Sequence, residues 1–341
     1  MPLRLRLLVI CATLLVVAGA YTAYWFVVAR RIEAGVVDWA QARRADKIEV
    51  SWQKLEVSGF PAAFRVGFGA AALRNGSITP PPEFHIPSLS GTARPWDLAD
   101  WQLAAPEGFT GNLAPTGERA AASLAVHTAD GVASIEGDGG WKLWLAMRGI
   151  TLEAGSRVQI SSAQTTIIVP PGLPRGGGEA GVALAVDASR IKLPGGVGPL
   201  GDTIDELDFG ATAKGNFPSG KLADAAAAWR DAGGRVELDH LRLSWGALSA
   251  NATGTIALDQ DLQPIGGFSG AVQGYDQILT ALVQNGKMRA SDAGLARIAL
   301  TMLAKTGADG KPEVKTAFTS QNGQMFLGPA KLGKAPRLIW E

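Results

Sequence analysis

Cysteine is almost missing from this chain: Cys11 is the only one in 341 residues. It lies inside an apolar N-terminal run, so the rest of the chain has neither a disulfide nor a thiolate nucleophile. That fits the cytosol or a bacterial envelope and argues against a small disulfide-stapled secreted domain. Histidine is nearly as scarce, with His85, His127 and His240 alone. None has a second histidine or cysteine at ligand spacing, so no metal site is assigned. His127 and His240 fall in strand patterns, where a hydrogen bond accounts for them. Charged residues make up 18% of the chain. Apart from four arginines that bracket the apolar run, 28 basic residues face 31 acidic ones, a balance of −3. Nucleic-acid binding needs clustered positive charge, and this near-neutral balance argues against it. An apolar fraction of 47% is too high for disorder.

Motifs with chemical content are also wanting. Gly196 to Gly201 spells GxGxxG, but Ile204 to Phe209 after it reads as a strand, and the dinucleotide fingerprint must open a helix. Gly215 to Lys221 matches most of a phosphate-binding loop. Leu222 stands where a hydroxyl should hold magnesium, and Pro218 removes an amide donor, so a turn with Ser219 as helix cap explains the same letters. Gly267 to Gly270 falls one residue short of a nucleophile elbow and sits within a strand pattern, which leaves Ser269 without a role. No catalytic, cofactor-binding or metal-ligating residue is assigned, and no cofactor is expected.

What is present begins with Leu7 to Val28, 22 uncharged residues between Arg4 and Arg6 on one side and Arg30 and Arg31 on the other. About 20 apolar residues cross a bilayer's hydrocarbon core as a helix. Ala18-Gly19-Ala20 resembles a signal-peptidase site, but the run stays apolar through Trp25 to Val28, so an uncleaved anchor is expected. Tyr21, Tyr24 and Trp25 suit a membrane interface. Orientation is contested. Arg30, Arg31, Arg43, Arg44 and Lys47 outnumber Arg4 and Arg6, which favours a cytosolic body by the positive-inside count. A short basic segment before an apolar run instead looks like an export signal, and the expectation adopted is a single pass through a bacterial inner membrane with the body in the periplasm.

From Arg30 to Arg44 the helical pattern continues, with Ile32, Val36, Trp39 and Ala40 on one face. Strand patterns begin near Ile48. Ile48, Val50 and Trp52 alternate, as do Phe64, Val66 and Phe68, while Trp96 and Trp101 flank a further strand. Trp141, Leu143, Leu145 and Met147 alternate, with Trp144 and Ala146 on the opposite face, so both faces of that strand are apolar. Leu248 to Leu258 is an antiparallel strand with one polar side. The phase break between Leu238 and Leu241 predicts a bulge near Asp239 or His240. Asn322-Gly323 predicts a hairpin turn. Three helices are expected: one capped by Ser219 with Leu222, Ala225, Ala226 and Trp229 inward; one with Tyr275, Ile278, Leu279, Leu282 and Val283, stopped by Gly286; and one capped by Ser291 with Leu295, Ile298, Ala299, Met302 and Leu303. All three stripes are expected to face the core.

The fold class expected is mainly β (α+β): an N-terminal transmembrane helix, then a curved antiparallel sheet with a few packed helices. Residues 1–47 form the anchor and a helical stalk. Residues 48–341 form the body, with subregions at about 48–198 and 199–341. Two-sided apolar strands beside an anchor suggest an apolar groove for lipid or acyl chains. Its candidate lining is Trp52, Trp141, Leu143, Trp144, Leu145 and Trp245. The alternatives are a non-enzymatic scaffold that binds other envelope proteins and a hydrolase with a dispersed site. Expected partners are the membrane, lipid or acyl chains, and envelope proteins, without nucleic acid.

Several segments resemble an uncharacterised bacterial family, the domain of unknown function numbered 2125. They are Gly59-Phe60-Pro61; Trp229 with Ala232-Gly233-Gly234; Leu243-Ser244-Trp245-Gly246; Gly254 to Asp259 with Leu262-Gln263-Pro264; Gly274-Tyr275; and Asn322-Gly323 with Leu327-Gly328-Pro329. The resemblance implies a bacterial envelope protein with an N-terminal apolar segment and carries no activity with it. More distantly, the anchor and β-rich body are similar to AsmA-like envelope proteins, which implies lipid transport through a greasy groove by fold-level analogy.

Overall fold

A computed structural model of the chain describes residues 3–77, 80–114, 121–195, 200–218, 221–286, 288–307, 310–327, 330–335, 337, 338 and 340. The chain forms two compact units, residues 1–134 with 153–155, and residues 135–152 with 156–341. The fold is mainly β, and every strand pairing described is antiparallel.

The first unit opens with α1 (Leu3–Arg43), followed by a 3₁₀ turn at Arg44–Asp46. Its strands are β1 (Ile48–Ser51), β2 (Lys54–Ser58), β3 (Phe64–Asn75), β4 (Glu83–Arg94), β5 (Asp97–Ala105), β6 (Phe109–Leu113) and β7 (Ala122–Ile135). β1 and β2 behave as one interrupted strand along β3, with Ile48 opposite Asn75 and Ser58 opposite Arg65. β4 lies on the other side of β3, with Phe64 opposite Ala93. β5 and β6 form a second interrupted strand between β4 and β7. The break between them is a turn at Gly108, whose φ is +64° and whose added Cβ would lie 1.8 Å from the Val126 carbonyl oxygen. Only glycine fits both demands.

Helix α1 divides into two stretches with different surroundings. From Leu7 to Ala20 every residue is exposed. From Tyr21 onward, residues at 21, 25, 28, 29, 32, 36 and 40 turn inward at the three-to-four spacing that aligns side chains on one helix face. Trp25 is 3% exposed and stacks on Phe64 with ring centroids 5.1 Å apart. Ala29 completes the buried cluster, and Val28, Ile32, Val57 and Trp101 pack around it. The helix beyond the exposed run is therefore part of this unit's core. Trp39, expected on one face with Ile32, Val36 and Ala40, is 52% exposed. The inward line runs through Ile32, Val36 and Ala40, four residues apart, and position 39 lies about 100° off it.

The second unit contains β8 (Trp141–Ala154), β9 (Arg157–Val169), β10 (Ala180–Lys192), β11 (Thr203–Lys214), α2 (Leu222–Asp231), β12 (Arg235–Trp245), β13 (Leu248–Leu258), β14 (Pro264–Gln273), α3 (Tyr275–Gln284), α4 (Ala290–Leu303), β15 (Lys305–Thr306), β16 (Pro312–Gln321), β17 (Gln324–Leu327) and β18 (Ala330–Lys334). β9 through β14 pair in sequence order, then β14 pairs with β16, β16 with β17 and β17 with β18. The ladder slips between Leu238 and Leu241, which is the expected bulge. Asn322 and Gly323 both have positive φ, 52° and 66°, as a two-residue type I′ hairpin requires.

The helices match expectation in place more than in burial. On α2, Ala225, Ala226 and Trp229 are buried, but Leu222 is 49% exposed because it occupies the first, outward-turned position. Ser219, its expected cap, lies outside the described residues. So do residues 196–199 of the GxGxxG stretch, although β11 follows it within two residues of Gly201. Gly328 and Pro329 also lie outside them. α3 buries Leu279 and ends before Gly286. The expectation for α4 is overturned. Leu295 is 71% exposed, Ile298 57%, Met302 81% and Leu303 62%, while the buried residue is Ala293. α4 therefore turns a side containing the small Ala293 inward and leaves its large apolar stripe outside. Ser291 lies inside the helix, and Arg289 occupies the cap position without a side-chain cap bond.

Candidate functional site: an apolar pocket at one end of the second sheet

Strand ends gather at one end of the second unit's sheet: the last residue of β9, the start of β10, the end of β11, the start of β12, the end of β13 and the start of β14. Between them lies an apolar pocket of about 540 Å³. That is within the ~300–1,000 Å³ range of small-molecule sites. Val182, Val236, Ile256 and Leu258 come from the strands, Leu173 and Phe217 from loops, and Trp229 from α2.

Trp229 is held by two local features. Its indole N–H donates to the Lys214 carbonyl over 2.7 Å. Its ring lies flat against Gly234, where an added Cβ would be 2.4 Å from the indole. Glycine at position 234, five residues after Trp229, is thus a packing requirement at the α2–β12 junction. Phe217, from the loop that resembles a phosphate-binding turn, lies 6.2 Å from the Trp229 ring. That loop delivers an aromatic ring to the pocket.

The chain's C-terminal segment covers another side. The Trp340 indole N–H donates to the Leu262 carbonyl over 2.8 Å. The Leu338 amide donates to Gln263 Oε1 over 2.9 Å, and Gln263 Nε2 donates back to the Leu338 carbonyl over 3.2 Å. Both tryptophans therefore spend their polar N–H on backbone and present apolar faces to the pocket. Asn216 supplies the one polar side chain among the lining residues described, and no titratable group is among them. The arrangement suits non-covalent holding of an apolar chain.

A charged clamp braces this end. Glu237 lies 2.8 Å from Arg235 and 3.4 Å from Lys214, and Arg235 donates to the Gly177 carbonyl over 3.1 Å. The Arg235 hydrogen bond, opposed by partial burial and helped by Lys214, holds the Glu237 carboxyl below its ordinary value of 4.5. Elsewhere in the sheet His240 Nε2 sits 3.0 Å from Asp208 Oδ1, whose other oxygen pairs with Arg242 at 2.9 Å.

None of the six residues expected to line a groove lines this pocket. Trp52, in the first unit, packs edge-on against Phe68. Trp141 and Trp144 are 43% and 36% exposed on β8, and Leu143 and Leu145 of the same strand are half-buried. Trp245 is at the opposite end of the β12–β13 hairpin, where its indole donates to the Gly201 carbonyl over 3.0 Å. Of the residues that do line the pocket, helical spacing assigns Trp229 to a helix core, and local pattern gives Leu173, Phe217, Leu338 and Trp340 no role. Paired glycines beside Trp229 were the available signal.

A family described as "Uncharacterized protein conserved in bacteria (DUF2125)" matches residues 25–336. The chain belongs to that family. The match starts at Trp25, the first helix residue buried against the sheet, and takes in both the Gly59-Phe60-Pro61 turn and the Trp229 junction. No curated protein and no solved structure matches the chain. The DUF2125 region thus includes the inward-facing half of α1 along with the strands of both units.

Proposed function

We propose that this DUF2125 protein is a single-pass protein of a bacterial inner membrane whose periplasmic body holds the acyl chain of a lipid, without covalent chemistry. The observation that carries the reading is the ~540 Å³ apolar pocket whose two tryptophans have their N–H groups already bonded. Among the described residues one helix, α1, is long and apolar enough to cross a membrane. An anchor would keep such a pocket beside a supply of acyl chains, and the distant AsmA-like likeness points the same way.

The test is photocrosslinking with a diazirine fatty acid on the full chain in nanodiscs, followed by peptide mapping. Labels are expected on Leu173, Val182 and Phe217. Val182 is 41% exposed, so Val182→Trp should narrow the pocket without disturbing the fold. It should cut labelling there by about tenfold, the scale of ~1.4 kcal/mol. Labels confined to α1 would refute the pocket. A phosphatase or fluorescent-protein fusion at the C-terminus tests the compartment.

The exposed stripe of α4 favours a second reading, a scaffold that docks another envelope protein. In-cell crosslinking from Leu295 and Met302 would then capture one stoichiometric partner, and Val182→Trp would leave function intact.

A further inference from the structure

Two turns of the first unit meet α1 at one level. The Tyr21 hydroxyl donates to the Pro61 carbonyl in the β2–β3 turn. The Tyr24 hydroxyl donates to the Pro95 carbonyl in the β4–β5 turn over 2.9 Å. The Trp25 indole adds a bond to the Ala63 carbonyl over 3.1 Å. The register of β3 with β4, Phe64 opposite Ala93, puts both turns at the same end of the sheet.

Each turn carries an exposed apolar side chain. Phe60 is 46% exposed and stacks on Phe26, itself 50% exposed, with centroids 5.8 Å apart. Trp96 is 73% exposed, and Leu98 beside it 37%. These groups adjoin the all-exposed apolar run of α1, so one greasy surface continues from the helix onto the turns.

The length of the helix fixes what covers them. The first apolar residue after Arg6 is Leu7. Crossing ~30 Å of hydrocarbon takes about 20 residues at ~1.5 Å each. Counted from Leu7, the twentieth is Phe26. The hydrocarbon boundary therefore falls at the Phe26–Phe60 stack, already within the level of the two turns. Arg30 and Arg31 follow one helical turn later, and Arg65 and Arg94, at the same sheet end, are exposed. Cations at that height suit anionic headgroups.

We infer that the first unit sits in the bilayer interface, with the Phe60 and Trp96 turns immersed at the hydrocarbon boundary as a collar around α1. This rests on the anchor reading above. The tyrosine hydroxyls are then spent on the turn carbonyls instead of on headgroups or water, and they fix the sheet's tilt and height against the membrane. The collar would set how the first unit meets lipid, which a free helical tether would leave open.

The test is spin-label depth measurement on the full chain in vesicles of phosphatidylethanolamine and phosphatidylglycerol. Labels go singly on Phe60→Cys, Trp96→Cys, Leu14→Cys and Lys54→Cys in a Cys11→Ser background. Lys54 lies on β2 about 13 Å from the Ser58 end of that strand. The Phe60, Trp96 and Leu14 labels should be reached by oxygen and shielded from a water-soluble nickel complex, and their oxygen-to-nickel ratio should exceed that of the Lys54 label several-fold. A shielded Leu14 label with water-like Phe60 or Trp96 labels overturns the collar and leaves the anchor intact. A water-like Leu14 label overturns the anchor itself.

Discussion

Trp25 lies within the apolar run that hydropathy assigns to the bilayer, yet its ring is stacked on Phe64 and its N–H is bonded to Ala63. Phe64 is fully buried, so the pair is the centre of the first unit's core. Trp25→Ala should cost about 3–5 kcal/mol, the usual range for a buried aromatic, read as a fall in the urea midpoint of full-length protein in micelles. A change below 1 kcal/mol would mean that the helix is not docked. Glu237 offers a pH-dependent counterpart. Its carboxyl titrates below 4.5 in the folded chain. A depressed carboxylate contributes stability that is fully present above its unfolded value and is lost as pH falls through the folded one. Glu237→Gln should therefore lower the urea midpoint at pH 7, and the gap to wild type should close below about pH 4.5. A gap that stays constant with pH would show that packing, not charge, explains the substitution.

At the scale of elements, α3 and α4 look alike in sequence and are used differently. α3 buries Leu279 and is tied to α4 by the Asp276–Arg297 ion pair. α4 turns Ala293 inward and leaves Leu295, Ile298 and Met302 in solvent. Leu279→Ala should destabilise by about 2–5 kcal/mol. The double variant Leu295→Lys with Met302→Lys should shift stability by no more than about 0.5 kcal/mol, as surface changes do. Thermal melts of the two variants side by side decide it. A large loss in the double variant would place α4's stripe against something within the chain.

At the scale of the whole molecule, α1 belongs to two environments, and truncation separates them. Deleting residues 1–20 removes only exposed positions among those described and should leave the melting transition within a few degrees of wild type. Deleting residues 1–43 also removes Trp25, Ala29 and Ala40, which are 3%, 7% and 4% exposed. The first unit should then lose its cooperative transition and become protease-sensitive, while the second keeps its own, since domains carry separate cores. Calorimetry with limited proteolysis would show this.

Local pattern alone determined the antiparallel strands, the helix positions, the Asn322-Gly323 turn, the bulge before Leu241 and the apolar N-terminal helix. Periodicity, turn residues and run length act over a few neighbouring positions, so the sequence displays them directly. The family was legible too, in scattered short segments. The tertiary structure alone decided which apolar residues meet. Trp25 reads as lipid-facing until Phe64 arrives from β3. Leu295 reads as core until α4 settles with Ala293 inward. Trp52, Trp141 and Trp245 invite grouping by their chemistry, yet the pocket forms from Leu173, Phe217, Trp229 and Trp340, brought together by strand register and a returning C-terminus. The reason is physical: burial depends on which elements pack together across long sequence separations, and an apolar side chain is stabilised on leaving water whether protein or lipid covers it.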